Sequence, residues 1–409
     1  MIRVFSSKFS LGSISFDRDC LGDTFSDLKT KRVVGIGECC HFTNEFSRLR
    51  QFLIQNLVED YGFNTIALEC SQRQAERLTD WLNNSDSGAN LSQYAGPLTI
   101  ALYGAILTWL KIFRLTSPHP INLVGIDLPN TLDPEEDADE LSAILCRLDP
   151  ETLPKLERIR STLNSIKGES AVPSSAAWRE LPIQQRDAAI ATISGILMRL
   201  NALSPIFRGQ DTEDLFNRSR EHAFRLSFTL ETLQGMVALF EGRAVSGETS
   251  IRDLYMATSV NDLLEKDENA RVMLLAHNNH IQKSRVSFTG ELTAIPLGLH
   301  LANRPDYCAI GMTHLGETAP EMEFNTKASV VGFSVNKCRV SNIMAGSIEK
   351  LLNQHPNAAS AALILELPTP ERLNFIRSQS TNMHLDSQRA FDAVLCTPRL
   401  TKDRKFLEF

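Results

Sequence analysis

Four short apolar runs in this 409-residue chain each end on an ionisable side chain. Val33-Val-Gly-Ile-Gly-Glu38, Asn64-Thr-Ile-Ala-Leu-Glu69 and Ile121-Asn-Leu-Val-Gly-Ile-Asp127 end in carboxylates, and Arg271-Val-Met-Leu-Leu-Ala-His277 ends in an imidazole. Short runs rich in β-branched residues read as buried strands of a parallel sheet. In open parallel sheets, ligands bind outside the carboxyl ends of the strands. Glu38, Glu69, Asp127 and His277 are therefore expected on one rim.

The segments between these runs support that layout. Residues 1–31 read as a lead-in rich in turn residues, before a strand at about 32–37. Phe46, Leu49, Phe52, Leu53, Leu57 and Val58 make a helical stripe over 45–59, closed by Gly62. A strand at 64–68, a helix at 72–82, a turn-rich loop at 83–90, a helix at 97–115 and a strand at 121–126 follow. This alternation predicts an α/β fold, a mainly parallel sheet flanked by helices. From 132 to 243 no strand is expected. Leu141, Ile144, Leu145 and Leu148 share one helical face, Ile190, Ile193, Ile196, Leu197 and Leu200 another, and Phe224, Phe228, Val237 and Phe240 contribute to a third, with Pro173 separating two of the helices. The expected organisation is a core of 1–130 and 251–409 with a large helical insertion at 131–250. Two readings of the insertion stand, a lid or a helical layer on a sheet face. The α/β pattern resumes with a helix at 251–266, a strand at 271–276, a helix at 289–302 and a strand at 306–312. The runs at 361–366 and 391–396 read as the last strands, with a less regular polar stretch at 377–389.

The densest chemical cluster is Gly35-Ile-Gly-Glu-Cys-Cys-His41. The glycines let the backbone leave a strand sharply and let a ligand approach. A carboxylate bonded to one ring nitrogen of His41 leaves the other free to take a proton from water; alternatively, Glu38 caps the following helix and His41 is an ordinary polar residue. In Ala276-His-Asn-Asn-His280 the two imidazoles stand three residues apart and suit a second acid/base, a metal-ligand pair or a capping turn. Cys39, Cys40 and Cys70 fall on the same rim, where a thiol beside a histidine is a candidate nucleophile and more often a small buried filler. No Walker A sequence, no dinucleotide fingerprint and no Gly-x-Ser-x-Gly elbow is present.

Composition narrows the classes. With 43% hydrophobic and 22% charged residues and a formal charge of -7, the chain carries no nucleic-acid footprint. No uninterrupted apolar run approaches the ~18 residues of a membrane span, and the N-terminus lacks a signal-like apolar stretch. Eight cysteines without a CxxC pair do not make a disulfide framework, so reduced thiols and a cytoplasmic location are expected. The expected partner is a small-molecule substrate, with no nucleic acid and no membrane.

In family order, these motifs resemble the erythromycin esterase family. Gly37-Glu-Cys-Cys-His41 continues through Glu45-Phe46 to Leu49-Arg50; then come Ala67-Leu-Glu69, Trp109 before Gly125-Ile-Asp127, Arg252-Asp253 with Met256-Ala257, and Ala276-His-Asn-Asn-His280. The resemblance covers about 33–311. Cys39-Cys40 stand where members usually carry small or polar residues, and Asn44 stands where many carry a second histidine. The resemblance implies hydrolysis of an ester or lactone, macrolide lactones among them, by an activated water, with no cofactor and no required metal. It links such enzymes to antibiotic resistance or natural-product biosynthesis. Carried residue by residue, it makes His41 the general base. Glu38 and Glu69 orient and charge-balance the histidines or the water. His277 with His280 is the second imidazole group, and Arg50 stabilises negative charge on the intermediate. Asn44, Cys40, Asp127 and Asn278 are the expected substrate-contacting positions, Asp127 ranking as a supporting carboxylate. Acyl transfer, cyclisation or dehydration on the same site, a metal site built from the carboxylates and histidines, and a non-catalytic binding protein are the rival readings.

Overall fold

The computed structural model describes the chain apart from residues 11–12, 17–23, 26, 85–88, 130–133, 244–245, 289, 326, 328 and 408–409. Cys20, the middle of the 83–90 loop, the start of the insertion and the first residue of the expected 289–302 helix thus lie outside the described residues.

Strands β1 (Ile2–Ser10), β2 (Ser13–Phe16), β3 (Val33–Ile36), β4 (Thr65–Ser71), β5 (Asn122–Asp127), β6 (Val272–Leu275) and β7 (Tyr307–His314) are followed by β8 (Thr318–Phe324), β9 (Phe333–Arg339), β10 (Ala362–Glu366), β11 (Phe375–Ser378), β12 (Thr381–His384) and β13 (Ala393–Thr397). Nine of them form one sheet in the order β2-β1-β10-β13-β7-β3-β6-β4-β5. From β13 to β5 every pairing is parallel. At the other end β10 pairs antiparallel with β13 and β1, and β1 with β2. The mixed, mostly parallel sheet is the expected class, but the N-terminus is not a lead-in. Ile2 pairs with Leu365 and Val4 with Leu363, a partner supplied from the far end of the chain that no local pattern announces.

Strand alternation sorts the core. Val34 and Ile36 pack with Leu49, Leu53, Ile54 and Leu57 on one face, whereas Val33 packs with Met256, Val260, Leu264 and Leu274 on the other. The first face is covered by α1 (Asn44–Tyr61), α2 (Gln72–Asn83) and α3 (Pro97–Thr116). Gly62 ends α1 in the left-handed region at φ 70°, its N–H bonding back to the last carbonyls of the helix. Both α3 and the helix at Ile183–Phe207 are long and apolar enough to cross a membrane. Neither is an uninterrupted apolar run, because charges such as Lys111 and Arg199 break the two stretches. α3 buries Ala101, Tyr103, Ile106, Leu107 and Leu110 in its own unit.

Two units partition the chain. The first contains the sheet: Met1–Asp127, Met256–Glu323 and Ser334–Glu408. The second is Leu128–Tyr255 with Phe324–Phe333. It holds α4 (Pro134–Leu148), α5 (Leu153–Ser165), α6 (Ala171–Glu180), α7 (Ile183–Phe207), α8 (Glu213–Phe240) and a short α9 (Ser246–Thr249). Leu141, Leu145, Leu163, Trp178, Ile193, Ile196, Leu230 and Val237 share its core. Phe224 and Phe228 do not join the buried stripe of α8; Phe216, Leu226 and Leu230 do. The two phenylalanines are half-buried beside Tyr255, at ring distances of 6.2 and 5.6 Å, and the Phe240 side chain lies outside the description. Pro173 does not separate helices but occupies the first turn of α6, where no intrahelical N–H is required, and Ser170 caps that turn.

The boundary between the units falls within α10 (Ile251–Lys266), at Met256, and the first unit also holds α11 (Asn278–Ile281), α12 (Leu297–Leu301) and α13 (Ile348–Leu352). Among the described residues, α12 is what forms of the helix expected over 289–302. The polar 377–389 stretch contains most of the β11–β12 hairpin.

Candidate active site

Register builds the rim. Ile36 is level with Leu275, Leu275 with Leu68, and Leu68 with Gly125. One or two residues beyond that row stand Glu38, His277, Glu69 and Asp127. At Gly37 the chain leaves β3 where a Cβ would lie 2.1 Å from Asn278 Oδ1, so only glycine fits. The Gly37 N–H donates to Ile310 O (2.8 Å), and Glu38 O accepts from Asn278 N–H (2.8 Å).

His41 Nδ1 lies 2.7 Å from Glu38 Oε1. Because a carboxylate only accepts, Nδ1 carries a proton, and in the neutral ring Nε2 keeps its lone pair. Arg50 Nη1 sits 3.0 Å from the same carboxylate oxygen. Burial pushes the Glu38 carboxyl upward, but the Arg50 charge and the His41 hydrogen bond outweigh it and hold it below the ordinary value.

His277 opens α11 and caps it, Nδ1 accepting from Asn279 N–H at 3.1 Å. The proton of the neutral ring therefore sits on Nε2, a buried atom with no hydrogen-bond partner among the described residues. Burial first, then the neighbouring charges of His41 and His280, push His277 down to about 3. Its ring centroid lies 5.0 Å from that of His41. Glu69 Oε2 accepts from the His277 N–H (3.2 Å), and Oε1 is 3.4 Å from His280 Nε2. The rim thus carries two imidazole–carboxylate pairs, His41–Glu38 and His280–Glu69, with a neutral imidazole between them.

The remaining expected site residues are engaged as follows. Arg50 is 1% exposed. Its Nη2 donates to Ile36 O (3.2 Å) and Ala276 O (2.7 Å), so it clamps Glu38 and the ends of β3 and β6 rather than facing an intermediate. Asn278 is fully buried and spends its amide on the strand, Nδ2 donating to Met312 O (2.7 Å) and Oδ1 accepting from Met312 N–H (3.1 Å). Asn44 turns to the C-terminal segment, its Nδ2 donating to Thr401 Oγ1 and Lys402 O. Asp127 is fully buried at the end of β5. Cys40 is fully buried with Sγ 2.9 Å from Pro320 O. Burial pushes the Cys39, Cys40 and Cys70 thiols up, which makes them poor nucleophiles.

Other residues hold the site without a sequence signal. The Tyr103 hydroxyl accepts from Glu69 N–H at 3.1 Å. Phe42, next to His41, sits in the left-handed region at φ 63°, an uncommon conformation for a bulky residue, and its carbonyl accepts from Asp403 N–H. Ser378 Oγ donates to Asn279 Oδ1 (3.2 Å), and Gln379 N–H to Cys39 O (2.6 Å). A run of glycine or a helical period would have flagged none of the four.

The sequence model of a family described as erythromycin esterase matches residues 58–401. The chain is 40% identical to erythromycin esterase type I of Escherichia coli, over 92% of this chain and 93% of that one. It is 26% identical to erythromycin esterase type II of Escherichia coli, over 92% and 90%. Its fold superposes on a mutant of the erythromycin esterase EreC in its open conformation with a TM-score of 0.94, at 37% identity and full coverage of both chains. A succinoglycan biosynthesis protein shares the fold at a TM-score of 0.69 and 14% identity, covering 97% of this chain and 95% of that one. The chain belongs to the erythromycin esterase family and is an esterase-like hydrolase.

Proposed function

We propose that the chain hydrolyses an ester or lactone of a natural product, a macrolide lactone among them, with a water molecule activated by His41. The observation that carries this reading is the pairing of His41 Nδ1 with Glu38 at 2.7 Å beside a neutral His277 whose Nε2–H has no hydrogen-bond partner among the described residues. Glu38 fixes the ring and balances the imidazolium, while Nε2 takes a proton from water as its oxygen attacks the carbonyl carbon. The carbonyl oxygen becomes an oxyanion that accepts the His277 Nε2–H. Such a donor is worth roughly 10²–10³ in rate. When the tetrahedral intermediate collapses, the carbon–oxygen bond to the leaving alcohol breaks, and the alkoxide takes a proton from the His41 imidazolium. One water is consumed, and one acid and one alcohol are formed. His280, held by Glu69, supports the charge on this side of the rim.

The substrate class rests on the names of the relatives, which are erythromycin esterases. The test is turnover of p-nitrophenyl acetate and erythromycin by wild type and His41→Ala. A loss of roughly 10²–10⁴ in kcat is expected from removal of a general base; a variant as fast as wild type sinks the mechanism.

A further inference from the structure

The β11–β12 hairpin closes at the Ser378–Thr381 pair, which leaves a two-residue loop, Gln379-Ser380. Gln379 stands at the first central position with φ 54°. Glycine is the favoured residue where such a loop needs a positive φ. A glutamine there is strained, and departures from local preference concentrate at functional sites.

The loop is tied to both halves of the rim. Gln379 N–H donates to Cys39 O (2.6 Å), within the Glu38–His41 turn. Ser378 Oγ donates to Asn279 Oδ1 (3.2 Å), between His277 and His280. Ser380 N–H donates to Glu321 Oε2 (2.8 Å). The backbone of Gln379 therefore has a positioning task that glycine would perform with less strain. Its carboxamide, by contrast, has no hydrogen-bond partner among the described residues, and the side chain is half-buried.

We propose that Gln379 is a specificity-determining residue whose carboxamide hydrogen-bonds a hydroxyl or carbonyl of a polyoxygenated ester or lactone beside the scissile bond. This rests on the reading that the ester is hydrolysed at His41. A carboxamide offers two donors and one acceptor group, so it suits a substrate rich in oxygen functions and contributes nothing to a small bare ester.

The experiment measures kcat and KM of wild type, Gln379→Gly, Gln379→Ala and Gln379→Asn on erythromycin and on p-nitrophenyl acetate, together with thermal midpoints. For erythromycin, kcat/KM should fall about tenfold in the glycine and alanine variants, carried by KM, as expected for one lost polar contact. Hydrolysis of p-nitrophenyl acetate should stay within about twofold of wild type by the same reasoning. The glycine variant should melt higher than wild type, so its loss cannot be put down to misfolding. Asparagine, which keeps the carboxamide and tolerates the left-handed region, should restore part of the erythromycin KM. An unchanged erythromycin KM in the glycine and alanine variants overturns the proposal. So does an equal loss on both probes, which would mark a purely structural loop, and so does a wild-type enzyme inert toward erythromycin. Failure of the underlying reading appears separately, as a His41→Ala variant that hydrolyses p-nitrophenyl acetate at the wild-type rate.

Discussion

Lowering the pH should destabilise the fold through two buried imidazoles. His277 is 4% exposed and His314 fully buried. Burial pushes both down to about 3 from 6.5, and the nearby Arg377 charge adds to the effect at His314. The unfolded chain binds protons at these positions below pH 6.5, and the folded chain does not until about pH 3. Stability is therefore fully present above 6.5 and is lost as pH falls toward 3. Integrating between pH 7 and pH 5 gives about 2 kcal/mol for each histidine at 1.36 kcal/mol per unit. Glu349 works in the opposite sense. Burial raises it, so its contribution is present below its unfolded value and is lost as pH rises through its folded one. Total stability consequently mixes signs, and the clean measurement is differential. Urea unfolding of wild type, His277→Asn and His314→Leu at pH 7 and pH 5 isolates each histidine. Asparagine keeps a side-chain acceptor at the N-cap of α11. The destabilisation caused by each variant should shrink by about 2 kcal/mol between the two pH values. If it is the same at both, the histidines titrate normally in the fold, and a His277 that is neutral at every working pH is refuted with them.

Glu38→Gln should be costly twice over. It removes the negative charge that balances the His41 imidazolium and puts an amide, with its NH2 donor, in place of the carboxylate, which should lower kcat by roughly 10²–10⁴, and it leaves the buried Arg50 charge without its carboxylate, which should destabilise by about 3–5 kcal/mol; steady-state kinetics and urea midpoints read the two effects separately. Alkylation with iodoacetamide should label Cys146, which is exposed, and leave hydrolysis intact; loss of activity together with modification of Cys40 would restore the thiol route.

The strand-end residues were legible in the sequence because their placement follows from two local facts, an apolar run that must be buried and the first polar residue after it. Glu38, Glu69 and His277 obey that logic, and parallel register carries them to one level. Their division of labour did not follow, because it depends on which polar atoms the backbone has already claimed. The family resemblance gave Arg50 a role at the intermediate, but not its partners: the carbonyl it binds most closely, Ala276 O, lies 226 residues away in sequence. Asn278 sits inside a recognisable His-Asn-Asn-His motif, but its amide replaces a strand neighbour for Met312, 34 residues on. No spacing rule encodes either partner. The same holds for the edge strand β1, whose partner is β10, and for the Gln379 turn, which contains neither glycine nor asparagine at its strained position. His277 marks the boundary most sharply. Its residue type and place at the end of β6 were readable, whereas its chemistry was not. An exposed imidazole at that point would take up a proton near neutrality. Only the Asn279 N–H on Nδ1, together with near-complete withdrawal from water, makes it a neutral donor. A sequence can therefore nominate the atoms of such a rim, while the direction in which each one donates or accepts is set by tertiary contacts that close around it.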